Sequence, residues 1–225
     1  MRKRFIILKT LYNRLIITVK LIKNGNLKPI LDGFTTRLYS KIKFIGLEAK
    51  PDELSVKNSK IEILIRPFET SDLNALKEGH RHVRLVEAQI PNCYVATTKE
   101  NVTIYRQWLF THESQQQIND YFGPIFPIIS ENEAIIEGVF THPDYRGLNI
   151  MSSAMTKILE QEQYKNLNKV IAFVKEQNKP SLKGFYKMGF VPYIIRQEAW
   201  FLFRRKVTFV QMSDKLREKY LKSLS

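Results

Sequence analysis

Phe140-Thr-His-Pro-Asp-Tyr-Arg-Gly-Leu-Asn-Ile-Met151 joins two segments of different periodicity, and that change of period decides the fold. Before it, Ala134-Ile-Ile-Glu-Gly-Val-Phe140 reads as a strand. After it, Met151, Ala154, Met155, Ile158 and Leu159 recur at i, i+3, i+4, i+7 and i+8, the spacing of a helix with one buried face. Val170-Ile-Ala-Phe-Val174 is then an uninterrupted apolar run, as suits a strand buried on both faces of a partly parallel sheet. Strand, helix and strand in that order predict a βαβ unit. The turn aims main-chain N–H groups and the positive end of the helix dipole at one point, a ready site for a pyrophosphate. Arg146 adds a charged donor there. The alternative is an ordinary strand-to-helix turn with a solvated arginine.

Downstream, Asn178-Lys-Pro-Ser-Leu-Lys-Gly-Phe-Tyr-Lys-Met-Gly-Phe190 reads as a helix over about 179–188, capped by Asn178 and stopped by Gly189. Strands at about 190–197 and 199–206 follow, and Ser213 caps a last short helix. Upstream, Ile61-Glu-Ile-Leu-Ile-Arg-Pro67 is a strand stopped by proline. Thr70 or Ser71 caps a helix, and a helical pattern covers about 80–89. Cys93–Thr97 and Val102–Trp108 are strand-like, parted by the turn-like Lys99-Glu100-Asn101. The connection over 111–131, with Gly123, Pro124 and Pro127, reads as an insertion that forms either an acceptor-pocket wall or a packing element.

The charge is concentrated at one end. Residues 1–50 carry twelve Lys/Arg against Asp32 and Glu48, which is +10 of the overall +14. Arg2-Lys3-Arg4 opens the chain, and Lys9, Arg14 and Lys20 interrupt every apolar run that follows, so no stretch there spans a bilayer. The same interruption, with no small-residue cleavage site, argues against a signal peptide. Arg2, Lys9, Asn13 and Lys20 share one sector of a helical wheel, which predicts a basic amphipathic helix. Packing on the domain and peripheral membrane contact through residues 2–23 both remain open for it. Nucleic-acid binding is disfavoured, because basic residues are not interleaved with aromatics elsewhere. The single Cys93 excludes an intramolecular disulfide and fits a reducing compartment, and the four histidines show no structural-zinc spacing, so no metal is expected. The expected organisation is a basic extension over 1–58, a domain over 59–210 and a C-terminal helix over 211–225.

Together, the two segments around 140–151 and 178–190 resemble the GNAT superfamily of N-acetyltransferases. The first is similar to that family's Val-x-Pro-x-x-Arg strand and pyrophosphate loop, the second to its Asn-x-x-Ala/Ser helix leading to Lys-x-Gly-Phe. The resemblance covers about 61–206 in element order. It implies a mixed α/β fold with a partly parallel central sheet flanked by helices, and acetyl-CoA as co-substrate. It implies that backbone groups of Val139 and Thr141 pair with the pantetheine arm. Arg146, Gly147, Leu148, Asn149, Ile150, Met151 and Ser152 would cradle the pyrophosphate through main-chain N–H groups. Asn178 would reach the pantetheine or acetyl end, and Ser181 would sit near the same channel.

Three departures from the family pattern matter. Asn149 replaces a loop glycine, and asparagine is the non-glycine residue that best tolerates a left-handed backbone. Met151 replaces Gly/Ala, and its helical spacing turns it toward the core. Phe185 stands where many members carry a general-acid tyrosine, with Tyr186 one residue later and about 100° around the helix. Either Tyr186 or water would protonate the leaving thiolate. Glu137 is the candidate base, at a position often acidic in the family, with a strand glutamate on a polar face as the alternative; Glu133 shares its face and is a weaker choice. His142, before Pro143, reads as a turn residue. The expected protein is a cytoplasmic acetyl-CoA-dependent N-acyltransferase, with association to the inner membrane surface through the basic arm as a further expectation. Its acceptor would be a small-molecule or carrier-linked amine, and the basic arm suits an anionic or membrane-presented one such as a nucleotide-sugar or lipid-linked sugar amine. The alternatives are a degenerate acyl-CoA-binding module or a nucleic-acid-associated protein.

Overall fold

The computed structural model describes residues 28–73, 85–86 and 89–224. The amphipathic helix and membrane contact expected over 2–23, and most of the helical pattern at 80–89, lie outside the described residues. In chain order the elements are α1 (Lys28–Leu38), β1 (Tyr39–Ala49), β2 (Leu64–Pro67), β3 (Cys93–Thr97), β4 (Thr103–Thr111) and α2 (Gln115–Phe122). They continue with β5 (Glu133–Thr141), α3 (Ile150–Leu159), β6 (Lys169–Lys175), α4 (Lys179–Lys187), β7 (Val191–Phe201), β8 (Arg204–Gln211) and α5 (Asp214–Leu224). The strands form one mixed sheet in the order β2-β3-β4-β5-β6-β1-β7-β8. The β5–β6 pair is parallel, joined through α3, while β2–β3, β3–β4, β4–β5 and β6–β1 are antiparallel. This is the mixed α/β architecture expected from the sequence.

The described residues fall into two compact units, 28–42 with 197–208, and those within 43–196 with 209–224. In the larger unit, successive residues of each strand face opposite ways. Ala134 and Ile136 of β5 and Val170, Ala172 and Val174 of β6 turn to one side, where Ala154, Met155 and Ile158 of α3 and Leu182 and Phe185 of α4 cover them. Tyr220 and Leu224 of α5 close the same core. On the other side, Phe110, Phe122, Phe126 and Phe173 meet ring to ring at 5.4–6.1 Å. The 111–131 connection is therefore a packing element: it forms α2 and buries Ile118, Ile125, Phe126 and Ile129. Arg196 is 1% exposed among these rings, its guanidinium 4.1 Å from Phe44, 4.8 Å from Phe173 and 5.3 Å from Phe126, with Nη1 donating to the Ile125 carbonyl at 3.0 Å.

Two boundaries differ from the sequence reading. Residues 39–49, placed there in the extension, form a strand whose Phe44–Ala49 pair with Lys175–Val170 of β6. Charge had suggested an arm, but the buried run Phe44-Ile-Gly-Leu47 is a strand signal that its flanking lysines obscure. The second difference is the β7–β8 turn, which falls at Leu202-Phe203 and not near 198. Both turn residues have positive φ, 46° and 64°, a conformation that their side chains do not advertise. The smaller unit contains this turn. There Leu202 and Phe203 N–H groups donate to the carbonyls of Leu38 and Arg37 at the end of α1, at 2.9 and 2.8 Å.

Candidate active site

The parallel β5–β6 ladder runs only from Glu133↔Lys169 to Ile136↔Ala172. Beyond that point β5 continues to Thr141 alongside β4, and β6 to Lys175 alongside β1. The two strands therefore part after Ile136. A bulge accompanies the parting: the β4–β5 register shifts between Arg106↔Phe140 and Trp108↔Glu137, and Gly138 has φ +64°. An extra residue on β5 bends the strand, and a glycine carries the positive φ with least strain. His142 N–H donates to the Ile104 carbonyl of β4 at 2.8 Å. Thr141 N–H and C=O, on the opposite side of the strand from that bond, therefore point away from β4, into the opening.

The Pro143–Tyr145 turn leads from β5 to α3, and His142 accepts from Asp144 N–H at 3.4 Å, the turn-capping role expected of it. Arg146 Nε donates to the Thr141 carbonyl at 3.2 Å and ties the turn back to the strand end. Gly147 has φ +77°, with nothing within 4 Å of where a Cβ would stand. Asn149 adopts the left-handed backbone, φ 58° and ψ 21°. The Ser153 N–H bond to the Asn149 carbonyl, at 3.1 Å, is the first of α3. The N–H groups of Ile150, Met151 and Ser152 precede it, as the first donors of any helix do. Met151 packs against the core beside Gly184 of α4, its Sδ 3.6 Å from where a Cβ on that glycine would be.

Sequence reasoning missed the segment that crosses this turn. Lys57 N–H donates to Ser152 Oγ at 3.0 Å, Lys60 N–H to the Leu148 carbonyl at 3.0 Å, and Asn149 Nδ2 to the Asn58 carbonyl at 3.3 Å. The Ser152 hydroxyl is thus engaged structurally, and two exposed lysines join Arg146 at the end of α3. No local pattern around Lys57 announces this, because the contact spans 95 residues.

Asn178 caps α4, its carboxamide oxygen accepting from Ser181 N–H at 3.3 Å. Both residues therefore serve the helix start, which leaves the Asn178 NH2 and the Ser181 hydroxyl as the side-chain groups for a ligand. Phe185 is 2% exposed and meets Phe190 edge to face, with ring centroids 4.9 Å apart. Tyr186 is half-buried against the same core. Leu182 and Phe185 pin the rotation of α4, so turning Tyr186 into the Phe185 position would expose a core ring, at roughly 1.5–3 kcal/mol. Glu137 is the first residue past the parting of the strands, half-buried, on the face opposite Ile136. Glu137 and Tyr186 thus lie on opposite faces of the sheet. Glu133 is committed to Lys169: burial alone would raise its pKa, but that ion pair and the Ser130 N–H hold it below the usual carboxylate range. Burial pushes the Cys93 thiol up, which disfavours its thiolate form. Among the described residues no group of His, Cys, Asp or Glu is arranged to hold a metal, and no helix is long and apolar enough to cross a membrane.

This parted strand pair with a turn and helix start at its mouth defines an acetyltransferase-like fold, and the chain matches the acetyltransferase (GNAT) family over residues 77–190, about half its length. The protein belongs to the GNAT family. Among solved structures it is similar to a GCN5-related glucosamine N-acetyltransferase region of a fungal multi-domain GH3 β-N-acetylglucosaminidase, at 12% identity and TM-score 0.53, covering 76% of this chain and 22% of that one. A GCN5-related N-acetyltransferase from Sphaerobacter thermophilus matches at 12% identity and TM-score 0.48, over 76% of this chain and 56% of that one. A tandem GNAT protein from the clavulanic acid biosynthesis pathway matches at 12% identity and TM-score 0.48, over 84% and 60%. The chain thus spans less than two thirds of the length of each of these structures. At such identities the likeness is one of fold alone. No curated protein matches the sequence.

Proposed function

We propose that the protein transfers the acetyl group of acetyl-CoA to an amine by direct attack on the thioester. The observation that carries this reading is the parting of β5 and β6 after Ile136↔Ala172, with the peptide groups of Thr141 turned into the gap and Val139 beside it on the same strand. The pantetheine amides would pair with those groups as a substitute strand. The pyrophosphate would lie on the N–H groups of Ile150, Met151 and Ser152, beside Arg146 and the lysines at 57 and 60. Asn178 would contribute its remaining NH2 near the acyl end.

The amine approaches from the Glu137 face of the sheet and the thiolate leaves on the α4 face. Glu137 takes the ammonium proton, directly or through a water, and the freed lone pair forms the C–N bond. The oxyanion rests on a β5 N–H near the Gly138 bulge. The C–S bond breaks as the nitrogen's second proton passes to water, and the thiolate takes a proton back from water, since Phe185 carries no hydroxyl; Tyr186 is the protein alternative. The buried Phe185 favours one second reading, a relative that holds acyl-CoA without turnover.

Calorimetric titration of acetyl-CoA into the wild type and Arg146→Ala tests the site. Micromolar binding that weakens severalfold in the variant is expected, and no binding to the wild type refutes the reading. Consumption of thioester in an amine screen, lost in Glu137→Gln with acetyl-CoA affinity retained, separates the enzyme from the binder.

A further inference from the structure

The smaller unit carries an apolar tip ringed by positive charge. At the β7–β8 turn Phe201, Leu202 and Phe203 are 64%, 57% and 48% exposed, and Leu31 and Phe34 of α1 are 59% and 53% exposed. Phe34 and Phe203 meet edge to face at 5.1 Å, so helix and hairpin tip present one surface. Arg37 and Arg205 each lie over the Trp200 ring, at 5.9 and 5.6 Å. Residues 28–42 and 197–208 together hold six Lys/Arg (Lys28, Arg37, Lys41, Arg204, Arg205, Lys206) against Asp32 and Glu198.

Backbone geometry alone does not account for these side chains at the turn. A two-residue hairpin with positive φ at both positions favours Asn-Gly, and a bulky side chain there is strained. Leu202 and Phe203 nonetheless take φ 46° and 64°. Their N–H groups close the end of α1, but Asn-Gly would supply the same two donors at less strain. What Asn-Gly would not supply is apolar surface at the tip.

We propose that this tip is a docking surface for an anionic lipid bilayer. Leu202, Phe203 and Phe201 would enter the acyl boundary, with Trp200 at the headgroup level and the surrounding arginines and lysines on the phosphates. Charge decides between occupants. A second copy of this chain would bring an equally positive surface against it, which repels. Single-stranded nucleic acid stacks its bases on open aromatic faces, whereas here Phe34 and Phe203 are turned edge to face on each other, Trp200 lies against Arg37 and Arg205, and the aliphatic Leu31 and Leu202 are exposed beside them. The inference rests on the smaller unit and is independent of acyl transfer.

The test is flotation of the full chain with phosphatidylcholine vesicles, with and without phosphatidylglycerol, comparing the wild type with the double variant Leu202→Asn, Phe203→Gly. That variant relaxes the turn, so its melting temperature should hold or rise and acetyl-CoA binding should stay unchanged. Binding to the anionic vesicles should be at least about tenfold above neutral ones and fall roughly tenfold in the variant. Arg204→Ser with Lys206→Ser should lower the salt dependence of binding. Equal binding by the turn variant, or no preference for anionic vesicles, overturns the proposal. So does turn-dependent binding to single-stranded DNA, or turn-dependent self-association, in place of vesicle binding.

Discussion

Asn149 is the position where the turn's geometry can be tested against its proposed work. Its φ of 58° and ψ of 21° lie in the left-handed region, immediately before the first helical residue of α3. For an ordinary L-residue that conformation costs about 1–2 kcal/mol, and asparagine escapes part of it through its short polar side chain. Asn149→Ala should therefore lose about 1 kcal/mol, and Asn149→Val about 2 kcal/mol, because a β-branched side chain is worse there. Asn149→Gly removes the strain but also the exposed 3.3 Å bond from Nδ2 to the Asn58 carbonyl, worth about 0.5 kcal/mol, so it should be near neutral. In a chain of this size each kcal/mol moves the melting temperature by about 2–4 °C. The same order should appear in acetyl-CoA affinity. A turn that relaxes when free must be restored on binding, and affinity falls by the fraction of molecules holding the competent turn, about fivefold per kcal/mol. The assay is thermal denaturation and calorimetric titration on the four proteins in parallel. A valine variant that melts and binds like the wild type would show that the left-handed turn is not what presents the N–H groups of Ile150 to Ser152.

Other expectations concern the larger unit. Asp72 is 3% exposed and accepts from Arg66 in a bidentate pair at 2.8 Å, from Thr103 Oγ1 and from Glu69 N–H at 2.8 Å. Burial alone would raise its pKa, yet these donors hold it below its ordinary value of 3.8. Its charged form therefore stabilises the fold fully above that value, and the contribution is lost as pH falls through the lowered one. Asp72→Asn should cost about 3 kcal/mol at neutral pH by urea denaturation, with the gap to wild type narrowing below pH 3.8; a constant gap would sink the assignment. Arg196→Ala should leave a hole among Phe44, Phe126 and Phe173 and cost about 3 kcal/mol or more, while Arg196→Met, which fills the space and removes a buried charge, should cost less than half as much. Equal losses in the two variants would mean that the charge, and not the volume, is what the rings hold.

The sequence by itself determined the strand–turn–helix–strand core from Ala134 to Val174 and the capped helix after it. The change of period across Phe140–Met151, the apolar run at Val170–Val174 and the Asn178 cap are local signals, and each element forms where its own residues place it. Asparagine at 149 could be read as left-handed because that preference belongs to the residue. Tertiary structure decided what depends on distant partners. β1 is recognisable only once β6 offers it an edge, since its basic flanks look like part of an arm. Lys57 and Lys60 reach the turn through main-chain bonds formed after the chain has closed on itself. Nothing local marks Arg196 as buried; Phe44, Phe126 and Phe173, from three separate segments, box its guanidinium. The parting of β5 from β6 also belongs to this class. Gly138 allows β5 to bend, but where the ladder ends is set by the outer neighbours β4 and β1, which hold the two strands on diverging courses.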